Sequence, residues 1–576
     1  MPKNLYLRLA IANVKRSREV YVPYFIAATI MSCVYFLILS LIFSTSIKNV
    51  PGGETARSVF MAGTVVFTAF AFGFMLYINA FLTKRRKKEF GLYSVLGMNR
   101  RHVARVLRWE MLIIVGLGLI FGMLLGMVFG RLVFLLLLRA MRATVEGSTF
   151  QMPFIAFIGT IALFAAVMIG NNLYNGLRVR IVNVVDLLQS DKRGEKDSKL
   201  VIPAAILGLL LLGGTYAFVL INDDPYFALG VFFPAAFVVI IATFLLFYSG
   251  SIALLRLLRN NKNFYYKSGN FVAISGMFHR MRVNARGLAS ICVFCTMLLV
   301  TVAGASSLYF GQEQIARTNN PYDAYVAFTY DHDEELDELE NQKRLDNTVH
   351  ELVAQLDALA LAHNVQLQGK LDDRVQPSRG YLQPGKVTYA PDDAPIQYVN
   401  SVLLGNSLYM DVMGKAADAE AFCKEIENIP NVIWTNSIYE ARQDGYGAYG
   451  GLLFLAAFFA ILFLVMMVMM IYFKQITEGS EDKERFAIMQ KVGMRSEDVK
   501  SVVNKQILWV FFLPLGLAVC HILAASKIMM QMISQFGMFD YSITLMCIGL
   551  TSIVFAAIYL IVYKQTARVY YRIVKW

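Results

Sequence analysis

The chain has 576 residues, of which 57% are hydrophobic and only 16% are charged, with a formal net charge of +13. A water-soluble protein could not hide that much apolar surface, so the composition excludes an ordinary soluble enzyme and indicates an integral membrane protein. The positive charge does not indicate nucleic-acid binding, because the basic residues lie in short segments that flank apolar stretches.

Residues 1–21 precede the first apolar stretch and are rich in Lys and Arg. They predict a basic amphipathic helix that lies on the inner face of the membrane. The stretch that follows is long enough to span the membrane, and no small-residue cleavage site comes after it. It therefore does not have the pattern of a signal peptide.

Ten apolar stretches reach the roughly 20 residues needed to cross a bilayer. They predict transmembrane helices at about 22–43, 59–82, 110–138, 154–175, 201–221, 228–250, 288–309, 449–473, 506–530 and 541–563. Because cytoplasmic segments carry most Lys and Arg, we expect both termini to be cytoplasmic in a multi-pass protein of the plasma membrane. The inner segments are then 1–21, 83–109, 176–200, 251–287, 474–505 and 564–576.

The longest polar segment, residues 310–447, separates the seventh and eighth predicted helices and is expected outside the cell. It contains 23 acidic and 10 basic residues. Alternating apolar residues predict strands at 322–330, 385–390, 396–400 and 431–436, and helical periodicity predicts helices at 333–363 and 407–428. The acidic run at 331–340 favours a solvated helix face over a calcium site, because it lacks EF-hand spacing.

The predicted fold class is therefore mainly α, a polytopic membrane protein with ten transmembrane helices and one extracellular α+β domain between helices 7 and 8. After residues 1–21, the predicted parts are a first unit of four helices, a linker with three helices, the extracellular domain, and a second unit of three helices. Their bounds are 22–175 with inner loop 83–109, 176–309, 310–447, and 448–576 with inner loop 474–505.

One short pattern occurs twice, as KEFGLYSVLGM at 88–98 and ERFAIMQKVGM at 484–494, with a constant offset of 396 residues. Both copies lie between two predicted spans and on the same predicted side of the membrane. Each copy predicts a short amphipathic helix closed by a glycine, Gly97 or Gly493. Two ordinary basic juxtamembrane helices would explain each copy alone. Repetition at equivalent positions favours a docking surface for a paired partner.

Two polar residues inside predicted spans have alternative interpretations. Arg131 lies near the outer end of the third span, where it could reach lipid headgroups or form a bidentate contact with a lipid pyrophosphate. The headgroup interpretation is favoured. His521 lies in the ninth span, where a polar helix–helix contact is favoured over a titrating switch.

The chain contains no G-x-x-x-x-G-K-[ST] phosphate-binding loop, no H-E-x-x-H and no G-x-S-x-G. We therefore predict no catalytic residues, no bound cofactor and no metal site.

The segment KRRKKEFGLYSVLGM resembles the inner loop of the FtsX-like/MacB-type ABC permease superfamily. The segments at 471–494, 183–199, 257–289 and 321–328 are similar to those of the bacitracin-resistance (BceB-like) permeases of Gram-positive bacteria. The ten-span arrangement with one outer domain also fits that subfamily.

The resemblance implies that two copies of a cytoplasmic ATPase, which carries the ATP and Mg²⁺, dock at the two inner loops. The docking residues that it implies are Lys87, Lys88, Glu89, Phe90, Gly97, Met98, Glu481, Asp482, Glu484, Arg485, Phe486, Gly493 and Met494. It also implies resistance to wall-targeting peptide antibiotics or their lipid pyrophosphate complexes, and signalling to a membrane histidine kinase.

Two alternatives belong to other functional classes. A signalling module could act on a kinase or a cell-wall hydrolase without transport. A secondary transporter or channel would need acidic or His residues along a central pathway, and the predicted spans contain almost no carboxylates.

Overall fold

The computed structural model describes residues 3–48, 50, 52–143, 150, 152–181, 201–266, 268–329, 338–368, 396–398, 401–404, 407–491 and 496–574. The chain divides into two compact units. The first comprises Met1–Tyr309, Gly450–Gln535 and Asp540–Trp576, and the second comprises Phe310–Tyr449 and Phe536–Phe539.

Helices dominate the described residues. In chain order they are α1 Lys3–Arg16, α2 Arg18–Phe43, α3 Thr45–Lys48, α4 Gly53–Arg85, α5 Lys87–Val95, α6 Arg100–Ala140, α7 Phe154–Ile181, α8 Val201–Ile221, α9 Pro225–Leu245, a π-helical turn Leu246–Gly250, α10 Ser251–Asn260, α11 Lys262–Tyr265, α12 Ser268–Phe310, α13 Gln312–Asn319, α14 Glu338–Ala362, α15 Ala416–Glu425, α16 Ile438–Lys491, α17 Ser496–Ser534 and α18 Tyr541–Val574.

Ten helices in the described part of the chain are long and apolar enough to cross a membrane. Each of the ten predicted stretches falls on one of them, so the prediction of a mainly α polytopic membrane protein is confirmed. Several helices continue well beyond the predicted spans. The longest, α16, has 54 residues and is about 80 Å long at 1.5 Å per residue.

Glycines on α6 allow a close approach to α2. A Cβ atom added at Gly122 would lie 1.7 Å from the Ser32 hydroxyl oxygen, and one at Gly118 would lie 2.7 Å from the Ala28 side chain. The Ser32 hydroxyl also donates a hydrogen bond to the Gly118 carbonyl at 3.0 Å. Small residues therefore bring these two backbones together, which is a common way to pack helices in a membrane.

Helices α4 and α16 lie side by side in the core of the first unit. Their contacts include Phe67 with Phe459 at 5.9 Å and Phe70 with Phe463 at 5.3 Å between ring centroids. By the repeat offset of 396, Phe463 of α16 is the sequence equivalent of Phe67 of α4. Each of the two α4 phenylalanines therefore contacts a residue of α16 that lies about one helical turn before its sequence equivalent. The two helices are therefore parallel, in nearly equivalent register.

His521 on α17 joins two other helices. The Thr243 hydroxyl of α9 donates to the Val239 carbonyl at 2.7 Å, so it accepts from His521 Nε2 at 3.0 Å. His521 Nδ1 then accepts a hydrogen bond from the Tyr216 hydroxyl of α8. Both nitrogens of a neutral imidazole are satisfied, and the residue forms a polar contact between helices.

The second unit contains an antiparallel sheet with strands β1 Ala324–Phe328, β2 Gln366–Gln368, β3 Ile396–Tyr398, β4 Ser401–Leu404, β5 Ser407–Met413 and β6 Val432–Ser437. The strand order is β3-β4-β5-β1-β6, and β2 also pairs with β5. The core lies between one sheet face and the helices α14 and α15. It includes Val326, Leu408, Met410, Leu352 and Phe422.

The prediction of one helix over 407–428 is wrong in its first third. Residues 407–413 form β5, which pairs with β1 on one side and with β4 on the other. Leu408, Met410 and Val412 alternate into the core, and this period of two is a strand pattern. The predicted strand at 385–390 and the acidic run at 331–337 lie outside the described residues.

The close approach of α2 and α6 can be tested with two alanine substitutions on one helix. Gly122→Ala should lower the thermal unfolding temperature of the detergent-solubilised protein, because the new methyl group collides with Ser32. Gly116→Ala is the matched control. Its methyl group would meet only the Met168 methyl at 3.9 Å, and alanine favours a helix over glycine by about 1 kcal/mol. Equal melting temperatures for the two variants would contradict the packing.

Candidate functional site

The first repeat loop folds as a short helix between two long ones. Helix α4 ends at Arg85, α5 runs over Lys87–Val95, and α6 begins at Arg100. Gly97 has a φ of 86°, in the left-handed region that favours glycine. The Met98 N–H donates to the Tyr93 carbonyl at 2.9 Å, as in a Schellman helix end. The structure therefore shows the predicted short helix closed by Gly97.

Helix α5 is anchored by an apolar contact to α6. Phe90 is buried and packs against Val103 and Leu107, with Tyr93 and Met98 at the edge of the cluster. Phe90 was predicted as a docking residue. Its side chain faces its own chain, so the structure gives it the role of holding α5 in place.

A buried ion pair lies at the junction of α4 and α5. The Arg86 guanidinium contacts the Glu110 carboxylate of α6 at 2.5 Å and the Glu89 carboxylate at 2.7 Å. Arg86 is 6% exposed and Glu110 is fully buried. The Tyr21 hydroxyl of α2 donates to Glu110 at 2.7 Å, and Asn13 of α1 donates to its other oxygen, also at 2.7 Å.

The electrostatics of this cluster keep Arg86 charged. Burial alone would lower the pKa of Arg86, but the Glu110 carboxylate raises it, with smaller contributions from Tyr21 and Glu89, and the net shift is upward. The guanidinium carbon also lies 5.5 Å from the centre of the Phe90 ring, a cation–π distance. A permanent positive charge therefore holds the start of α5 against α6.

Two leucines are exposed on the outward side of α5 and at its C-terminal end. Leu92 is 56% exposed and Leu96 is 71% exposed, and Gly97 is exposed beside them. The two leucines are not among the predicted docking residues, although their spacing of four residues places them on one helix face. The backbone of Lys87 and Lys88 lies within α5, but their side chains lie outside the described residues.

The second repeat loop is built differently. Its first part continues α16 without a break as far as Lys491. Asp482 is buried and accepts a hydrogen bond from the Tyr570 hydroxyl of α18. One turn earlier, the buried Lys474 and Glu478 lie 3.7 Å apart. The side chains of Glu481, Glu484, Arg485 and Phe486, together with Gly493 and Met494, lie outside the described residues.

Arg131 lies on the outward face of α6. Its side chain is exposed, and its helix neighbours on that face, Val128 and Leu135, are 73% and 52% exposed. An arginine on such an apolar face fits headgroup contact by snorkelling. The pyrophosphate contact stays a prediction.

Within the described residues, no group of three or more His, Cys, Asp and Glu side chains could hold a metal ion.

The fold is that of a multi-pass membrane protein, and its sequence carries the same loop pattern twice. The FtsX-like permease C-terminal family matches residues 61–180, which include the first repeat loop. The chain is 22% identical to the ABC transporter permease protein YxdM of Bacillus subtilis, over 91% of this chain and 93% of that protein. It is 20% identical to the bacitracin export permease protein BceB of the same species, over 89% and 92%. It is 22% identical to BceB of Halalkalibacterium halodurans, over 90% and 92%.

These relatives extend over nearly the full length of the chain. The chain is thus similar over most of its length to ABC transporter permeases of the FtsX-like, BceB-like kind.

The Arg86–Glu110 pair should be necessary for stability. Glu110→Leu leaves a buried charge without its main partner, and we expect a loss of about 3–5 kcal/mol. Arg86→Met combined with Glu110→Leu should recover most of this loss, because an apolar pair can replace a buried ion pair. Thermal unfolding in detergent measures both effects.

The exposed pair Arg57–Glu54, at 3.4 Å, provides the control. Glu54→Leu should change stability by less than about 1 kcal/mol, because exposed ion pairs contribute little. If Glu110→Leu unfolds at the same temperature as Glu54→Leu, the buried pair does not hold the loop.

Arg131 can be tested by comparing Arg131→Lys with Arg131→Ala. A snorkelling cation tolerates lysine, whereas a bidentate phosphate contact requires the planar guanidinium. We expect wild-type protection against a pyrophosphate-binding antibiotic for Arg131→Lys, measured as the minimal inhibitory concentration at matched expression. A loss with lysine as large as the loss with alanine would support the phosphate contact instead.

Proposed function

We propose that this permease is the membrane subunit of a transporter whose ATP is hydrolysed by a separate cytoplasmic ATPase, with one copy of that ATPase docked at each repeat loop. ATP and Mg²⁺ are then held by the partner. The docking loops face the cytoplasm, as does each terminus, in the plasma membrane of a Gram-positive bacterium.

The observation that carries the proposal is the pair of exposed leucines at α5. Leu92 and Leu96 point outward from a short helix, while Phe90 and Arg86 fix the opposite face of that helix to α6. An exposed apolar patch with a polar rim is typical of a protein interaction site. A rigid helix presented this way suits a groove on a partner protein, and it can pass the partner's movement to α4 and α6.

The proposed cargo is a cell-wall-targeting peptide antibiotic or its complex with a lipid pyrophosphate. The names of the two BceB relatives support this class of ligand. The acidic composition of residues 310–447 would attract cationic peptides. The second unit also has an aromatic cluster on the sheet face opposite its core, where Tyr325 lies 4.9 Å from Tyr409 and 5.3 Å from Trp434 between ring centroids. Signalling to a histidine kinase is part of the same proposal.

The docking surface can be tested by placing a charge on it. Leu92→Glu should reduce the amount of ATPase that co-purifies with the permease and weaken the apparent affinity at the first loop at least about ten-fold, or ~1.4 kcal/mol. The reason is that a carboxylate buried in an apolar contact has no partner. Resistance to bacitracin and lantibiotics, measured in a deletion strain that carries each variant, should fall in parallel.

Leu361→Glu is the matched control, since Leu361 is a 79% exposed leucine on a helix of the second unit. It should leave ATPase binding at the wild-type level. If Leu92→Glu retains two ATPase copies, the docking assignment is wrong. If wild-type and Leu92→Glu strains resist every wall-targeting antibiotic equally while docking is lost, a role without transport in signalling or wall hydrolysis is favoured.

A further inference from the structure

The N-terminal helix α1 packs on the first repeat loop. Tyr6 and Ala10 are buried against Val106 of α6. The Tyr6 ring stacks on His102 with centroids 5.7 Å apart and an interplanar angle of 8°, and its hydroxyl lies 2.5 Å from His102 Nδ1. The expected surface helix is therefore also a structural part of the loop, on the side of α6 that carries Glu110.

Asn13 is the polar link between α1, α5 and α6. Its amide nitrogen donates to Glu110 at 2.7 Å, and its amide oxygen accepts from the Tyr93 hydroxyl of α5 at 3.1 Å. One side chain thus connects the short helix to the same carboxylate that binds Arg86. Removing the amide would take a donor from Glu110 and the acceptor from Tyr93 at the same time.

The sequence of the second repeat loop has different residues at the positions of this charged cluster. The offset of 396 places Asp482, Arg485 and Gln506 at the positions of Arg86, Glu89 and Glu110. The buried Asp482 is instead bound by Tyr570. Among the described residues, the first loop is thus held by α1, and Asp482 of the second loop is held by α18.

We propose that α1 is a brace specific to the first docking loop, with Asn13 as its positioning residue, and that α18 braces the second loop through Tyr570, so that the two ATPase positions are not equivalent. This inference rests on the proposed docking function. Its physical basis is pre-organisation: a helix held in its bound orientation loses less conformational freedom when a partner binds.

The experiment measures each ATPase position separately. A photo-reactive phenylalanine analogue replaces either Leu92 in the first loop or Lys483, which has an exposed side chain, in the second. Cross-linking to the ATPase is then titrated in detergent for each position. Asn13→Ala should weaken binding at the first position about ten-fold and leave the second unchanged. Tyr570→Phe should do the reverse.

Two further variants separate the brace from general damage to the fold. Tyr93→Phe removes a single hydroxyl group, so the protein should fold normally, and binding at the first position should weaken two- to five-fold. Because Tyr93 acts through Asn13, adding Tyr93→Phe to Asn13→Ala should have no further effect. Arg8→Gln, on the exposed side of α1, is the control and should bind ATPase like the wild type at both positions.

The outcomes distinguish the inference from the docking function on which it rests. If neither position cross-links in the wild type, and Leu92→Glu co-purifies with two ATPase copies, the docking function fails. If both positions cross-link in the wild type but Asn13→Ala weakens both equally or neither, docking stands and the brace is wrong. Additive effects of Asn13→Ala and Tyr93→Phe would also overturn the proposed link through Asn13.

Discussion

The contact between the Arg86 guanidinium and the Glu110 carboxylate is the constraint on which the first repeat loop depends. Both groups are buried, so separating them would leave a charge in a medium that solvates it poorly. Helix α5 starts next to Arg86 and therefore cannot move away from α6 without breaking this pair. The anchoring by Phe90, the outward position of Leu92 and the link to α1 through Asn13 all follow from an α5 that is fixed at its first turn.

Much of the architecture could be predicted because few backbone structures can span a bilayer. Every buried polar backbone group must be satisfied within a helix, so long apolar stretches such as 201–221 predict a span almost directly. The repeat was also visible, because both copies keep the Phe, Gly and Met positions at one constant offset. The contacts that hold α5 could not be predicted. Those that involve α1 and α2 join residues 65 to 97 positions apart, such as Tyr21 with Arg86 and Asn13 with Glu110, and sequence periodicity gives no information at that range.

Two features have a signal in the sequence but are missing from the predictions. Residues 407–413 have apolar side chains at every second position, which predicts a strand, yet the predicted helix at 407–428 includes them. Glu110 is a carboxylate at the start of an apolar span, where an ionisable residue needs a partner. The basic run that ends the preceding span contains that partner, Arg86. The basic run contains several arginines and lysines. The structure shows where α4 ends and therefore which of them pairs with Glu110.

The helices that lead into the two loops are arranged alike, whereas the charged residues of the two loops differ. Helices α4 and α16 are parallel and in nearly equivalent register, so the loops that follow them occupy related positions. Their charges differ, because the offset of 396 pairs Arg86 with Asp482 and Glu89 with Arg485. Two identical partner subunits that bind both loops must therefore rely on what the loops share. The shared features are apolar: Leu92 corresponds to Ile488, and Leu96 corresponds to Val492. The charged positions are then free to differ, and each can be used to fix its own loop to its own end of the chain.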